Sequence, residues 1–156
     1  IFKKKKFKNN PIIGVHWRGT DIVKAKYKSK NSLFYKRRKK ITIDYFIKKI
    51  EIILKNNKNA KIFLSTDEEN YLSQFKKLYA DRLVYTNCYR SNSGDSIHLN
   101  NDYLRKNHRY KLGLEVLIDS LLLAESNFLI CRKSNVTNAS LLFNRSKKKK
   151  IFELEY

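Results

Sequence analysis

Three short polar clusters in this 156-residue sequence each come after an apolar run. They are His16, Arg18 and Asp21, then Ser65, Thr66 and Asp67, and finally Ser134 with Asn135. An arginine at the tip of a buried strand is not needed for packing. Its guanidinium can bind phosphate oxygens through two parallel hydrogen bonds and stabilise charge that develops on a leaving diphosphate. These residue types therefore favour recognition of an anionic ligand.

Arg18 and His16 each have an alternative, purely structural role. Arg18 could form an ion pair with Asp21, and Gly19-Thr20 favours a tight turn that exposes the guanidinium. His16 could be satisfied within the core or the turn, or it could hydrogen-bond a ligand. The sequence leaves both pairs of interpretations open.

Two of the clusters lie where helices are predicted to begin. Asp67 has the position of an N-cap, whose side chain accepts a hydrogen bond from a free amide, but it could also support the cleft or contact a ligand. Ser134 and Asn135 open a later helix, whose N-terminal amides and partial positive charge make an anion site. An ordinary N-cap explains Ser134 equally well.

Asp119 lies inside the strongly apolar stretch 116–123. A carboxylate in such a helix needs a partner. That partner is either a buried Lys or Arg, or the hydrogen-bond donors of a ligand such as a purine base. The acids Glu68 and Glu115 are expected in solvent. Because the sequence has no HExxH, HxH, paired-cysteine or DxD motif, we expect no metal.

The elements that must position these clusters alternate along the chain. Apolar runs predict strands, and apolar residues at helical spacing predict helices. Strands are expected over 12–17, 61–65, 82–85, 128–131 and 151–154, and helices over 42–56, after Asp67, over 112–125 and from Ser134. This alternation predicts an α/β fold, a Rossmann-like and mostly parallel sheet with helices on both faces. Because parallel strands end at one edge, the three clusters should meet in one cleft.

The chain is strongly basic, with 35 Lys and Arg against 14 Asp and Glu and a formal net charge of +21. Lys far outnumbers Arg, whereas proteins that read nucleic acid favour the forked donors of Arg. We therefore expect a solvated basic surface and no specific nucleic acid partner. Peripheral contact with the anionic inner face of a membrane, or contact with a lipid-linked substrate, stays open. The basic clusters 36–40 and 147–150 would make this contact.

Other bulk features bound the class of protein. A hydrophobic content of 42% is enough for a folded core. Cys88 and Cys131 are too far apart for a metal motif, so we expect free thiols in a reducing, cytoplasmic compartment. No run is long enough to span a bilayer, and no signal peptide is recognisable. Because the sequence has no methionine and begins with Ile1, we expect a fragment that lacks an N-terminal part.

Three stretches resemble, in order, the motifs of a fucosyltransferase family. This family includes the α1,6-fucosyltransferases, the nodulation fucosyltransferase and, more distantly, the protein O-fucosyltransferases. Residues 14–21 (GVHWRGTD) resemble the first motif, and residues 62–67 (IFLSTD) resemble the second. Residues 108–110, 116–125 and 127–135 together resemble the third.

The resemblance implies the C-terminal, Rossmann-like half of a two-domain GT-B-type glycosyltransferase. Residues 1–10 would be a linker and residues 11–156 the donor-binding domain. The family uses GDP-fucose as donor without a metal or other cofactor, and it transfers fucose with inversion to a glycan or lipid-linked glycan. The alternative is a basic, non-catalytic module that binds nucleic acid or an anionic membrane surface.

The resemblance also implies roles for single residues. Arg18 would be the catalytic residue, because it would hold the β-phosphate of the donor and assist its departure. The other donor-binding residues would be His16 and Asp119 at the guanine, Ser134 and Asn135 at the phosphates, and Asp67 in support. Gly19 stands where the α1,6 enzymes have a second arginine, so the resemblance does not specify the linkage.

Overall fold

Five parallel strands form one sheet in the part of the chain that the structure describes. The computed structural model describes residues 10–18, 42–92, 97, 105–144 and 149–154. The strands are β1 Ile12–Trp17, β2 Lys61–Thr66, β3 Leu83–Tyr85, β4 Phe128–Cys131 and β5 Lys150–Glu153. Their order across the sheet is β3-β2-β1-β4-β5, and every neighbouring pair is parallel. The predicted α/β class and parallel sheet are confirmed.

Helices alternate with these strands in the predicted order. They are α1 Ile43–Asn56, α2 Glu69–Tyr79, α3 His108–Ala124 and α4 Asn135–Phe143. A 3₁₀ turn, Ala80–Arg82, leads from α2 into β3. The start of α3 is the largest difference, since this helix begins at His108 rather than at the predicted residue 112.

The helices cover both faces of the sheet, as predicted. On one face, α1 and α2 pack against the strands through a core that includes Phe46, Ile50 and Phe75. On the other face, Leu123 of α3 packs with Phe63 of β2. Successive strand residues point to opposite faces, so a strand covered on both faces must be apolar along most of its length. β1 and β2 are buried in this way.

Gly14 allows the C-terminal end of α3 to approach β1 closely. A Cβ atom at this position would lie 2.6 Å from Ser126 Oγ and 3.2 Å from a methyl carbon of Leu123. Ser126 is held there because its hydroxyl donates to Leu123 O at 2.6 Å. A residue without a side chain is therefore needed where α3 lies over the central strand.

β1 lies at the centre of the sheet, and the strand order reverses beside it. From β1 the chain continues to β2 and β3 on one side, and then to β4 and β5 on the other. In an open parallel sheet, such a switch point leaves a crevice outside the C-terminal ends of the two central strands. The ends of β1 and β4 therefore border the place where a ligand is expected.

Of the three N-caps that the sequence suggests, the structure confirms the positions of two and moves the third by one residue. Thr42 precedes α1 as predicted, although its hydroxyl bonds a nearby carboxylate rather than a backbone amide. Ser134 is the N-cap of α4, where its Oγ accepts a hydrogen bond from the Thr137 amide at 3.1 Å. The N-cap interpretation of Asp67 is wrong, because Glu68 occupies that position in α2.

The remaining predictions have mixed outcomes. Cys88 and Cys131 are both free, as predicted, and only Cys131 is fully buried. Among the described residues, no helix has both the length and the apolar character that a bilayer crossing requires. Asp21, the basic cluster 36–40, residues 147–148 and residues 1–9 lie outside the described part of the chain.

Candidate functional site

A cavity of about 380 Å³ lies at the C-terminal edge of the sheet. Its volume is in the range of small-molecule sites. The predicted site residues that line it are His16, Arg18, Ser65, Thr66, Asp67, Asp119 and Asn135. Ser134 is the residue directly before Asn135 in the chain and is not itself part of the lining. Asp21 is outside the described residues. The structure therefore brings the polar clusters after β1, β2 and β4 to one place.

His16 connects the end of β1 to the start of α4. Its Nδ1 lies 3.2 Å from Thr137 Oγ1 and 3.4 Å from Ser134 Oγ. Burial, with a smaller contribution from the charge of Arg18, lowers the pKa of His16 to about 4. The imidazole is therefore neutral at neutral pH. It is hydrogen-bonded within the core and also lines the cavity.

Arg18 follows β1 directly and is half-buried in the cavity wall. A guanidinium keeps its positive charge throughout the physiological pH range. Its charge contributes to the low pKa of His16. The cavity thus carries a permanent positive charge next to the central strand.

The start of α4 faces the same cavity from the β4 side. Asn135, the first residue of α4, lines the cavity, and Ser134 caps the helix. The amides of a first helical turn are unpaired within the helix and give it partial positive charge. The Thr137 hydroxyl donates to Arg132 O at 2.9 Å, which closes the turn between β4 and α4. Positive potential therefore reaches the cavity from two sides, from Arg18 after β1 and from the start of α4.

Backbone hydrogen bonds with Ser91 fix the chain after β2. Asp67 O accepts from the Ser91 amide at 2.8 Å, and Ser91 O accepts from the Glu69 amide at 3.0 Å. The Glu68 amide donates to Thr66 Oγ1 at 3.3 Å. Glu68 is buried, contrary to the expectation of solvent exposure, and burial together with neighbouring Asp67 raises its pKa. These contacts hold Asp67 in the cavity wall.

Asp119 is the buried carboxylate of α3, with 6% of its surface exposed. The Thr86 hydroxyl donates to its Oδ1 at 2.7 Å. Burial raises the pKa of Asp119, while hydrogen bonds from Thr86 and Ser65 and the charge of Arg90 act in the opposite direction. The two hydroxyl groups and the charge of Arg90 therefore offset part of the cost of burying this carboxylate. Asp119 also lines the cavity.

Glu115 is the third acid of the cavity wall after Asp67 and Asp119, so the expectation that it faces solvent is wrong. Arg105 binds its two carboxylate oxygens at 2.6 and 2.8 Å. The Tyr89 amide donates to it at 3.4 Å. Burial by itself would raise the pKa of Glu115, but these hydrogen bonds together with the charge of Arg105 outweigh burial, and the pKa lies below its ordinary value. The ion pair ties α3 to the chain that precedes it.

The rest of the cavity wall is largely apolar. Tyr89 and Ile97 line it together with Leu112 and Val116 of α3. The half-buried thiol of Cys88 lies in the same wall. An apolar wall with a few convergent polar groups suits a ligand that has both a flat, weakly polar part and a charged part.

A family model for the N-terminal and catalytic domains of α-(1,6)-fucosyltransferases matches residues 1–137. This stretch contains all three polar clusters and most of the sheet. The chain belongs to this fucosyltransferase family. The resemblance predicted from the three sequence motifs is thereby confirmed.

Solved structures of a fucosyltransferase share the fold of this family member. NodZ α-1,6-fucosyltransferase co-crystallized with GDP matches with a TM-score of 0.54 and 21% identity, over 90% of this chain and 38% of NodZ. NodZ soaked with GDP-fucose matches with a TM-score of 0.53 and 21% identity, over the same shares of the two chains. The present chain therefore spans little more than a third of NodZ. No curated protein sequence matches it at a significant level.

The fucosyltransferase-family cavity contains acids from two elements, Asp67 after β2 and Asp119 with Glu115 in α3. Within the described ranges, no group of three or more His, Cys, Asp or Glu side chains is arranged to hold a metal ion.

Proposed function

We propose that this chain is the donor-binding part of a fucosyltransferase and that its cavity binds GDP-fucose. Family membership supports the proposal, as does the shared fold with NodZ, which was crystallised with GDP and soaked with GDP-fucose. The observation that carries it is the placement of Arg18 and the start of α4 on one cavity, at the switch point of the sheet.

The diphosphate is assigned to the positive side of the cavity. Arg18 can bind phosphate oxygens through two parallel N–H groups. Asn135 and the first-turn amides of α4 offer further donors from the β4 side. Ser134 contributes by capping α4, because its Oγ already accepts the Thr137 amide.

The guanine is assigned to the part of the cavity formed by Asp119, His16 and the apolar wall. Asp119 Oδ1 takes the Thr86 hydroxyl, which leaves further carboxylate lone pairs for N–H groups of a base. Tyr89 and Val116 offer apolar surface to the faces of a ring. Asp67 has a supporting role in this assignment, since its backbone fixes the end of β2.

The reaction that we propose is direct displacement at C1 of fucose. A hydroxyl oxygen of a glycan acceptor bonds to C1 from the face opposite the leaving group, and the bond from C1 to the β-phosphate oxygen breaks. The configuration at C1 is therefore inverted. The acceptor proton passes to a general base, and GDP departs with its new charge stabilised by Arg18. The scheme uses no metal, because Arg18 and the helix start supply the positive charge.

Thermal unfolding in the presence of EDTA tests donor binding. GDP should raise the Tm, because a ligand that binds only the folded state stabilises it by about 2.7 kcal/mol at a hundred times its Kd. ADP is the matched control, since it carries the same diphosphate on another base. A basic module without nucleotide specificity would respond equally to ADP and GDP and would bind heparin with steep salt dependence. No shift at millimolar GDP would also contradict the proposal.

Replacement of Arg18 tests the diphosphate assignment. Arg18→Ala should weaken GDP binding about ten- to hundredfold, because a hydrogen bond to a charged group contributes about 1.5–3 kcal/mol. Arg82→Ala is the control: it removes the same charge from an exposed residue at the opposite, N-terminal edge of the sheet. Calorimetric titration of both variants with GDP measures the effect. Equal affinities of the two variants would remove Arg18 from the site.

A further inference from the structure

A compact hydrogen-bond network lies between the end of β1 and the first turn of α4. Its centre is Thr137 Oγ1, which also contacts the weakly polar thiol of Cys131. Among the described residues, it has three nitrogen or oxygen neighbours. They are Arg132 O at 2.9 Å, Ser134 Oγ at 3.0 Å and His16 Nδ1 at 3.2 Å. Thr137 is 2% exposed, so bulk water has almost no access to its hydroxyl.

The single proton of the Thr137 hydroxyl is already in use. A backbone carbonyl can only accept, so the contact with Arg132 O requires Thr137 to donate. The other two neighbours must then donate to Thr137 Oγ1, which has two lone pairs. Ser134 can do so, because its Oγ accepts the Thr137 amide and its own proton is still available. The 3.0 Å contact with Thr137 is also shorter than the 3.4 Å contact of Ser134 with His16.

We infer that Thr137 holds His16 in the tautomer with the proton on Nδ1, which leaves Nε2 as a hydrogen-bond acceptor for a ligand in the cavity. If Nδ1 were unprotonated, two lone pairs would face each other across the 3.2 Å contact with Thr137. The low pKa of His16 agrees with a ring that stays neutral at neutral pH. Thr137 is then a positioning residue that acts through His16.

This tautomer restricts what His16 can bind. An unprotonated Nε2 can take a hydrogen bond only from an N–H or O–H group. A phosphate oxygen at neutral pH offers no proton, so His16 is excluded from the diphosphate. Its partner must be an amino or imino group of the base or a ribose hydroxyl. This consequence for the ligand rests on the proposed function, whereas the tautomer itself is a property of the free protein.

Two-bond ¹H–¹⁵N correlation spectra of the ligand-free protein test the tautomer directly. The chain has only three histidines, and His16→Gln assigns the signals of His16. We expect a protonated Nδ1 and an unprotonated Nε2. A wild-type spectrum with the proton on Nε2 would overturn the inference without any variant.

Two variants of Thr137 test its part in fixing the ring. Thr137→Val keeps the shape but removes the acceptor, and the ring should then populate the other tautomer. Thr137→Ser keeps the hydroxyl and should retain the wild-type pattern. A valine variant with the unchanged wild-type tautomer would contradict the role of Thr137.

Titration with GDP tests the acceptor role at the ligand. GDP should shift the Nε2 resonance, and Thr137→Val should weaken GDP binding about three- to tenfold, the size of one neutral hydrogen bond. IDP lacks the amino group of the base and 2′-deoxy-GDP lacks one ribose hydroxyl, so the analogue without the donor should leave Nε2 unshifted. GDP that binds without moving Nε2 would overturn this inference. Failure of GDP to bind at all would instead overturn the proposed function, since the tautomer is measured without ligand.

Discussion

Asp119 demonstrates how one buried charge is accommodated beside the cavity. A carboxylate that loses water must recover hydrogen bonds, and Thr86 and Ser65 provide them. The sequence indicates the need for a partner, because Asp119 stands among apolar helix residues. It does not indicate which partner, since Thr86 is 33 positions away and follows another strand.

The raised pKa of Asp119 has a consequence for stability. The folded protein holds this proton more tightly than the unfolded chain does, so stability from this group is present at acidic pH and lost as pH rises through the folded-state pKa. An asparagine side chain does not titrate, so Asp119→Asn should remove this pH-dependent loss of stability. At neutral pH the variant should unfold with a free energy equal to or above that of the wild type, and the difference should shrink on acidification. Urea unfolding across the acid to neutral range measures this.

The same substitution should weaken GDP binding about tenfold or more, because it removes a charged acceptor. Asp81→Asn, an exposed position in the 3₁₀ turn, is the control and should leave GDP affinity unchanged. An asparagine variant at 119 that is less stable and binds GDP normally would mean that this carboxylate is purely structural.

Single residues were predictable where they follow a strand directly or where their type conflicts with their surroundings. His16, Arg18 and Asp119 interrupt apolar runs, and all three line the cavity. Thr86 and Thr137 carry no such signal, because a threonine is ordinary in a loop or at a helix start. Their roles depend on partners that only the folded chain brings near.

The secondary structure elements were predictable mainly because the three central strands, β1, β2 and β4, are buried on both faces. That burial produces apolar strands with clear boundaries, and the predicted and observed strands agree within a residue or two. The start of α3 was not predictable from periodicity. It depends on buried His108, which receives a hydrogen bond from Arg105 at 3.2 Å and packs edge-on against Tyr89.

Gly14 and Gly113 allow a matched test of how α3 is fixed. Gly14→Ala should destabilise the fold by about 1–3 kcal/mol, the usual cost of forcing an extra methyl into a packed core. Gly113→Ala should stabilise by about 0.5–1 kcal/mol, because the new methyl meets no atom within 4 Å and alanine favours a helix interior. Denaturant unfolding of both variants measures the two changes in the free energy of unfolding, which should have opposite signs. Tolerance of alanine at 14 would contradict the close approach of α3 to β1.

At the scale of the whole molecule, the meeting of the polar clusters was predictable and the strand order was not. Parallel strands must end at one edge, so any sheet built from these elements collects the clusters there. Which strand is central depends on the packing of whole faces, and no local pattern contains that information. The structure places β1 in the middle and so sets Arg18 opposite α4.

The bond between His16 and Thr137 joins residues 121 positions apart. Ser134 and Arg132 hold Thr137 locally, but His16 reaches it only when β1 and β4 pair in the folded sheet, so the complete pocket has no counterpart in the denatured ensemble. A nucleotide bound in the cavity must then stabilise the protein against global unfolding rather than against local fraying. Amide hydrogens across all five strands should therefore exchange more slowly when a nucleotide is bound.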